Sequence, residues 1–261
     1  MIRRPSFALV LVALVTLVSA VPAGGVDGYR NPTPGADLAL QIPGMHRAVV
    51  RRDFVYARRG GHSLRLDVYR PAGSRPRARF PGVLLAHGST SDPSPKDWGI
   101  YVGWGQLLAA QGLAGIPFNH HGTAADVAAA LATVRRRADE LGVDGGRLCV
   151  ASFSGGVAAG LTAALRDGRV RCALAFYGAP DPRVLSADSP PTFVAKAALD
   201  SPFVNDAIDA YVKRAKTVGA DVRLVVHPRG QHGFDLAPGD ARTRAILRQA
   251  VQFAWARIGV T

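Results

Sequence analysis

Residues Leu148-Cys149-Val150-Ala151-Ser152-Phe153-Ser154-Gly155-Gly156-Val157-Ala158-Ala159-Gly160 pass from an apolar, strand-like run into a run of small residues that a helix accommodates. Ser154 sits at the junction. A serine on a sharp, strained turn between strand and helix projects its oxygen above the sheet. The residues two before and two after it must be small, because the two backbones nearly touch there; here they are Ser152 and Gly156. Glycine is the more usual residue at the first of these positions, so Ser152 is a small departure. Ser-Gly-Gly is also an ordinary turn sequence. The strand before it and the small-residue helix after it favour a nucleophile at Ser154. Ser152, the rival serine, falls within the strand end.

On either side, strands alternate with helices. Residues 49–57 and 63–69 flank Gly60-Gly61 and predict an antiparallel hairpin. Val83-Leu84-Leu85-Ala86 is a fully apolar run of the kind found in buried parallel strands. A helix is expected over 101–111, a strand over 113–118, and one long helix over 126–141 ended by Gly142. The strand at 148–152 and the helix at 155–166 follow. Further strands are expected at 173–177, 192–198 and 222–227, with helices at 205–218 and 241–258. Repeated strand–helix units after a hairpin argue for a three-layer α/β fold, a mostly parallel sheet with helices on both faces. In such sheets functional groups gather at the carboxyl ends of the strands.

A serine hydroxyl needs a neighbouring base to take its proton. His232, in Pro228-Arg229-Gly230-Gln231-His232-Gly233-Phe234, follows the last strand and is the candidate. His87 is expected to hold the loop after its own strand, His120 and His121 to border a pocket, and His227 to be structural. His46 and His62 lie beside the hairpin, too early in the chain. The base needs a carboxylate to fix its tautomer. Asp200, just after the strand at 192–198, is preferred, with Asp206 left to cap the next helix and Asp181 as runner-up acid. An oxyanion requires two backbone N–H donors; Gly155 and Ser89 are the candidates.

With these residues in view, the chain resembles the α/β-hydrolase superfamily, and within it dienelactone-hydrolase-like proteins and small serine esterases. The resemblance runs from about Val49 to the C-terminus. It rests on His87-Gly88-Ser89, Ser152-Phe153-Ser154-Gly155-Gly156, Asp200-Ser201-Pro202 and Gly230-Gln231-His232-Gly233-Phe234. It implies an eight-stranded sheet, a Ser154–Asp200–His232 triad, no cofactor, and a small-molecule ester as substrate. Dienelactone hydrolases commonly carry cysteine where Ser154 stands. About fifteen residues separate Tyr177 from Thr192, which leaves no room for a large lid domain and suggests an open site.

Composition bounds the rest. The chain has 261 residues, of which 48% are apolar, enough for one domain with a large core. Residues 1–20 combine a basic start, an apolar run from Phe7 to Val18 and the small residues Val18-Ser19-Ala20. The run falls short of the ~20 residues that span a bilayer, so a cleaved signal peptide and a secreted protein are expected, an uncleaved membrane anchor being the alternative. Residues 21–43 read as a Pro/Gly-rich arm and 44–261 as the catalytic domain. The net charge of +13 is carried mainly by scattered arginines. That admits weak association with anionic envelope polymers, whereas no aromatic–basic interleaving suggests a nucleic-acid partner. Cys149 and Cys172 fall in strands expected to be neighbours, so they are either a disulfide or two small buried residues. No metal is expected, because His120, His121 and His232 lack carboxylate or cysteine partners at ligand spacing. No nucleotide is expected either, since Gly155-Gly156 lacks a following lysine. The functions left open are an ester hydrolase, an acyltransferase or peptidase on the same three residues, and an inactive envelope-binding relative.

Overall fold

The computed structural model describes residues 36–259, apart from 74 and 76. Residues 1–20, read as a signal peptide, lie outside the described residues. Eight strands form one sheet: β1 (Val49–Arg59), β2 (His62–Arg70), β3 (Phe80–Ala86), β4 (Ala114–Phe118), β5 (Val143–Phe153), β6 (Cys172–Phe176), β7 (Thr192–Ala197) and β8 (Val222–His227). Their spatial order is β1-β2-β4-β3-β5-β6-β7-β8. The β1–β2 and β2–β4 pairs are antiparallel, and all later pairs are parallel. The hairpin therefore forms one edge, and β5, which leads to Ser154, lies centrally between β3 and β6.

Helices cover both faces. On one lie α1 (Gly99–Ala110) and α6 (Ala241–Ile258), packed through Trp104, Leu107, Ile246 and Phe253 onto Val83, Leu85, Cys149 and Ala151. On the other lie α2 (Ala124–Arg136), α4 (Val157–Asp167) and α5 (Pro202–Val218), packed through Val127, Leu131, Leu161 and Tyr211 onto Leu84, Val150 and Ala173. Alternate residues of the parallel strands feed alternate faces, so both faces of the sheet are dry. Cys149 and Cys172 lie opposite each other in the β5–β6 register, with Cα atoms 4.7 Å apart, and form a disulfide.

Three local expectations are corrected. The helix expected over 126–141 is broken: Arg137 leaves helical geometry at φ −108°, and a separate short turn, α3 (Ala138–Leu141), carries the chain into β5. Strand β5 begins at Val143 rather than Leu148, because its first residues pair with Phe80 and Pro81. Helix α5 starts at Pro202 and is capped by the Ser201 hydroxyl, which accepts from the Val204 N–H, rather than by Asp206. Proline suits that first helical position, where no N–H partner exists in any case.

Between β6 and β7 the described chain holds a single 3-10 turn, Pro182–Val184, so nothing there roofs the sheet. Residues 36–43, read as part of an arm, lie against the domain. Leu38 and Leu40 are buried, Leu38 bridges Leu236, and the Ala39 N–H donates to the Asp235 carbonyl at 2.8 Å. The approach to α1 is close enough that a Cβ at Gly103 would meet the Leu38 side chain at 2.7 Å.

Candidate active site

Strand β5 delivers the chain into a turn at which Ser154 takes φ 50°, a left-handed conformation that a non-glycine residue rarely adopts. That geometry lifts the side chain off the sheet, and the serine is only half-buried. The turn survives because its flanks are small. A Cβ at Gly156 would collide with the His87 carbonyl, and one at Gly160 with the Ser152 hydroxyl. Ser152 is fully buried within β5, and its Oγ has no hydrogen-bond partner among the described residues. Its position beside the helix explains why a residue as small as serine stands where glycine is more usual.

The Ser154 Oγ–H donates to His232 Nε2 at 2.6 Å, and His232 Nδ1–H donates to Asp200 Oδ2 at 2.8 Å. These directions follow from the carboxylate, which only accepts and so fixes the ring proton on Nδ1. The three residues arrive from three different strand ends: β5, the loop after β7 and the loop after β8. The His232 and Asp200 side chains are almost wholly withdrawn from water. The other Asp200 oxygen accepts from the Ser201 N–H at 2.7 Å, and the Leu199 N–H donates to the Gly230 carbonyl, stitching the two loops together. Asp181, the alternative acid, is elsewhere: it receives the Arg183 backbone and guanidinium at the start of the 3-10 turn.

Ser89 lies directly against Gly155, and a Cβ added at Gly155 would come within 3.2 Å of the Ser89 nitrogen. Both proposed oxyanion donors are thus neighbours beside Ser154. The loop carrying Ser89 is held by buried groups. His87 donates from Nδ1 to the Gly88 carbonyl at 2.6 Å and accepts the His120 backbone N–H at Nε2. An imidazole with one donating and one accepting nitrogen must be neutral. Burial, with the neighbouring His120 second, pushes the His87 pKa down to about 3. The two rings stack at 3.9 Å, and burial likewise brings His120 to about 4. The Tyr101 hydroxyl accepts the Gly88 N–H at 3.0 Å. Further along the loop, Lys96 is buried with its ammonium 3.0 Å from Asp53, 3.0 Å from Asp67 and 2.7 Å from Asp97. Burial opposes that charge, but the hydrogen bonds it donates to the three carboxylates outweigh it and raise the Lys96 pKa.

One group behind the histidine is not legible in the sequence. Asp235, three residues past His232, is fully buried and accepts from the Tyr177 hydroxyl at 2.5 Å and from Trp104 Nε1 at 2.9 Å. Burial raises its carboxyl above the usual range. Tyr177, itself at φ 36°, packs edge-on against the His232 ring with centroids 5.1 Å apart. The only signal in the sequence is an acid closing an otherwise apolar loop end. Trp98 and Trp104 are both core residues. His120 and His121 do border a cavity, as expected, and so does His62, which was set aside as too early in the chain. His227 is structural, with Nε2 3.1 Å from both Asp240 and Thr243.

No match was found among curated protein sequences. Among solved structures, Thermogutta terrifontis esterase 2 phosphorylated by paraoxon is similar, with a TM-score of 0.69, 19% identity, and coverage of 85% of this chain and 97% of that one. The native form of the thermophilic esterase from the same planctomycete gives a TM-score of 0.69 at 20% identity, covering 84% and 95%. Its propionate-bound form gives 0.69 at 19%, covering 83% and 96%. At such identities the likeness establishes the α/β-hydrolase fold. The dienelactone hydrolase family profile matches residues 117–258, more than half of the chain and including Ser154, Asp200 and His232. By that match, the chain belongs to the dienelactone hydrolase family.

Proposed function

We propose that the protein is a secreted serine hydrolase that cleaves carboxylic esters through an acyl-enzyme intermediate. The observation that carries this is the hydrogen-bonded line Ser154–His232–Asp200 on a left-handed turn, with contacts of 2.6 and 2.8 Å. Ser154 Oγ attacks the ester carbonyl as His232 Nε2 takes its proton. Asp200 holds the imidazolium through Nδ1–H, and the Ser89 and Gly155 N–H groups receive the developing oxyanion. Collapse expels the alcohol, which takes the proton from His232. Water, activated by the same imidazole, then releases the acid and restores Ser154. No external co-reactant is required.

Membership of the dienelactone hydrolase family and the esterase names of the structural neighbours support an ester as substrate. One neighbour is described as phosphorylated by paraoxon; this chain is expected to react with a fluorophosphonate at Ser154. The test is labelling and p-nitrophenyl acetate hydrolysis by the wild type and Ser154→Ala. Loss of labelling and a fall in kcat/KM of roughly 10^4-fold or more is expected. Retained activity in the variant would remove Ser154 from the mechanism. Parallel assays with amides and with competing alcohol acceptors separate hydrolysis of esters from peptidase or transferase action.

Secretion rests on the basic-apolar-small pattern of residues 1–20 and is supported by the Cys149–Cys172 disulfide, since such bonds persist in oxidising compartments. Mass spectrometry of the protein from its native host should find it outside the cytoplasm with an N-terminus after Ala20. A cytoplasmic, full-length protein would overturn this part.

A further inference from the structure

A cavity of about 740 Å³ opens beside Ser154, bounded by the oxyanion neighbours Ser89 and Gly155, the start of β2, the loop after β3 and the loop after β4. Its size suits a small-molecule site. Half of the surface it exposes is polar, whereas pockets for hydrocarbon chains are lined mainly by apolar and aromatic side chains. Among the described residues here, Leu64, Pro93 and Pro95 are the apolar contributors. The wall is otherwise built from backbone, imidazoles, the side chains of Arg65, Asp92 and Asn119, and the hydroxyl-bearing residues Ser63, Ser89, Thr90, Ser91 and Ser94.

We propose that this cavity binds a neutral, hydroxyl-rich group, and that the substrate is a short-acyl ester of a polyol such as a sugar. The inference rests on the ester-hydrolase reading of Ser154 and gives it a substrate class. Each serine or threonine hydroxyl both donates and accepts, which matches adjacent hydroxyls of a polyol. A polyol leaving water recovers its hydrogen bonds on such a wall, whereas an alkyl chain strips water from the wall and returns nothing.

Formal charge argues for a neutral ligand over an ionic one. Of the residues that bound the cavity, Arg65 and Asp92 bring one charge of each sign. Arg65 already donates to the Asp53 carbonyl at 3.2 Å. Asp92 accepts from the Ser94 N–H and from Trp98 Nε1, and these bonds hold its carboxyl below the usual range, so it stays ionised. An anionic substituent would face that carboxylate, and a cationic one would face the guanidinium.

The test compares kcat/KM for acetylated methyl glucoside and for hexyl acetate, with p-nitrophenyl acetate as a general substrate. The glucoside ester should be favoured over hexyl acetate by tenfold or more. In a Ser63→Leu/Ser91→Leu variant with an unchanged circular dichroism spectrum, that ratio should fall at least tenfold. Equal or reversed preference in the wild type, or a ratio unmoved in the variant, overturns the polyol assignment while leaving the ester-hydrolase reading intact. If no ester is cleaved at all, that underlying reading fails. The cavity is then judged by binding of methyl glucoside, read from NMR ligand shifts on Ser154→Ala with and without the two leucines. Binding that the leucines abolish supports the site, and no binding overturns it.

Discussion

The hydroxyl of Tyr177 donates to the carboxylate of Asp235 at 2.5 Å while the ring of the same tyrosine rests edge-on against His232. The histidine is thus braced on one nitrogen by Asp200 and on its ring by a side chain pinned to a second, buried acid. Replacing Tyr177 with Phe keeps the ring and removes the pin. Asp235 then retains only the Trp104 indole as a side-chain donor. A stability loss of about 1–3 kcal/mol is expected from the under-bonded buried carboxyl. Because the ring remains, kcat should fall more than KM rises. Urea unfolding and steady-state kinetics on the one variant check both; an unchanged unfolding midpoint would deny the pin any weight.

Asp200→Asn preserves shape while removing the charge that fixes the His232 proton on Nδ1. The amide can present its NH2 to Nδ1, which leaves the ring proton on Nε2, facing Ser154 and unable to accept from it. A fall in kcat of roughly 10^4-fold is expected, with KM little changed. Asp181→Asn, at the acid that the structure sets apart, should leave ester hydrolysis within twofold of wild type.

Acid should weaken the fold through His87 and His120. Their folded-state values, about 3 and about 4, lie below the 6.5 of a free imidazole. Below pH 6.5 the unfolded chain therefore takes up protons that the folded chain refuses. Stability is full above that pH and drains as pH falls, by about 1.4 kcal/mol per pH unit for each group. At pH 5 each imidazole accounts for a loss of about 2 kcal/mol. Asp235, with its carboxyl raised by burial, works in the opposite sense and gains protons on folding. Thermal melts at pH 7.5 and pH 5.0 should show the net decline, and His87→Gln should flatten it.

The Cys149–Cys172 bond joins residues 23 apart across two central strands. Closing a loop of that length restricts the unfolded chain by about 3 kcal/mol. The Cys149→Ala/Cys172→Ala variant should accordingly melt about 6–12 °C lower. Its ester activity at low temperature should persist, since neither sulfur touches the Ser154 line.

The serine turn, the order of acid and histidine, and the strand–helix alternation were all legible because each is local. Small residues must flank a close backbone approach, and an apolar run bounded by glycine marks a strand end. What escaped depends on residues far apart in sequence. Asp235 meets Trp104 and Tyr177 only after the sheet has assembled, and nothing near Lys96 announces three carboxylates around it. The break at Arg137 escaped for a different reason: arginine and alanine are good helix formers, so local preference ran straight through it. His62 lies early in the chain, far from the other candidate residues. The β1–β2 edge, however, swings its turn round to the carboxyl ends of the parallel strands, bringing His62 to the cavity.

The segment at 36–40 has a consequence of its own. Its pairing with Leu236 and the Asp235 carbonyl, and its seat in the notch left by Gly103, make it a buckle fastening the loop that carries His232. A protease that trimmed the chain as far as residue 35 would leave the buckle closed. One that cut beyond Leu40 would spare every residue of the Ser154–His232–Asp200 line and still strip away the contacts that hold the loop carrying His232.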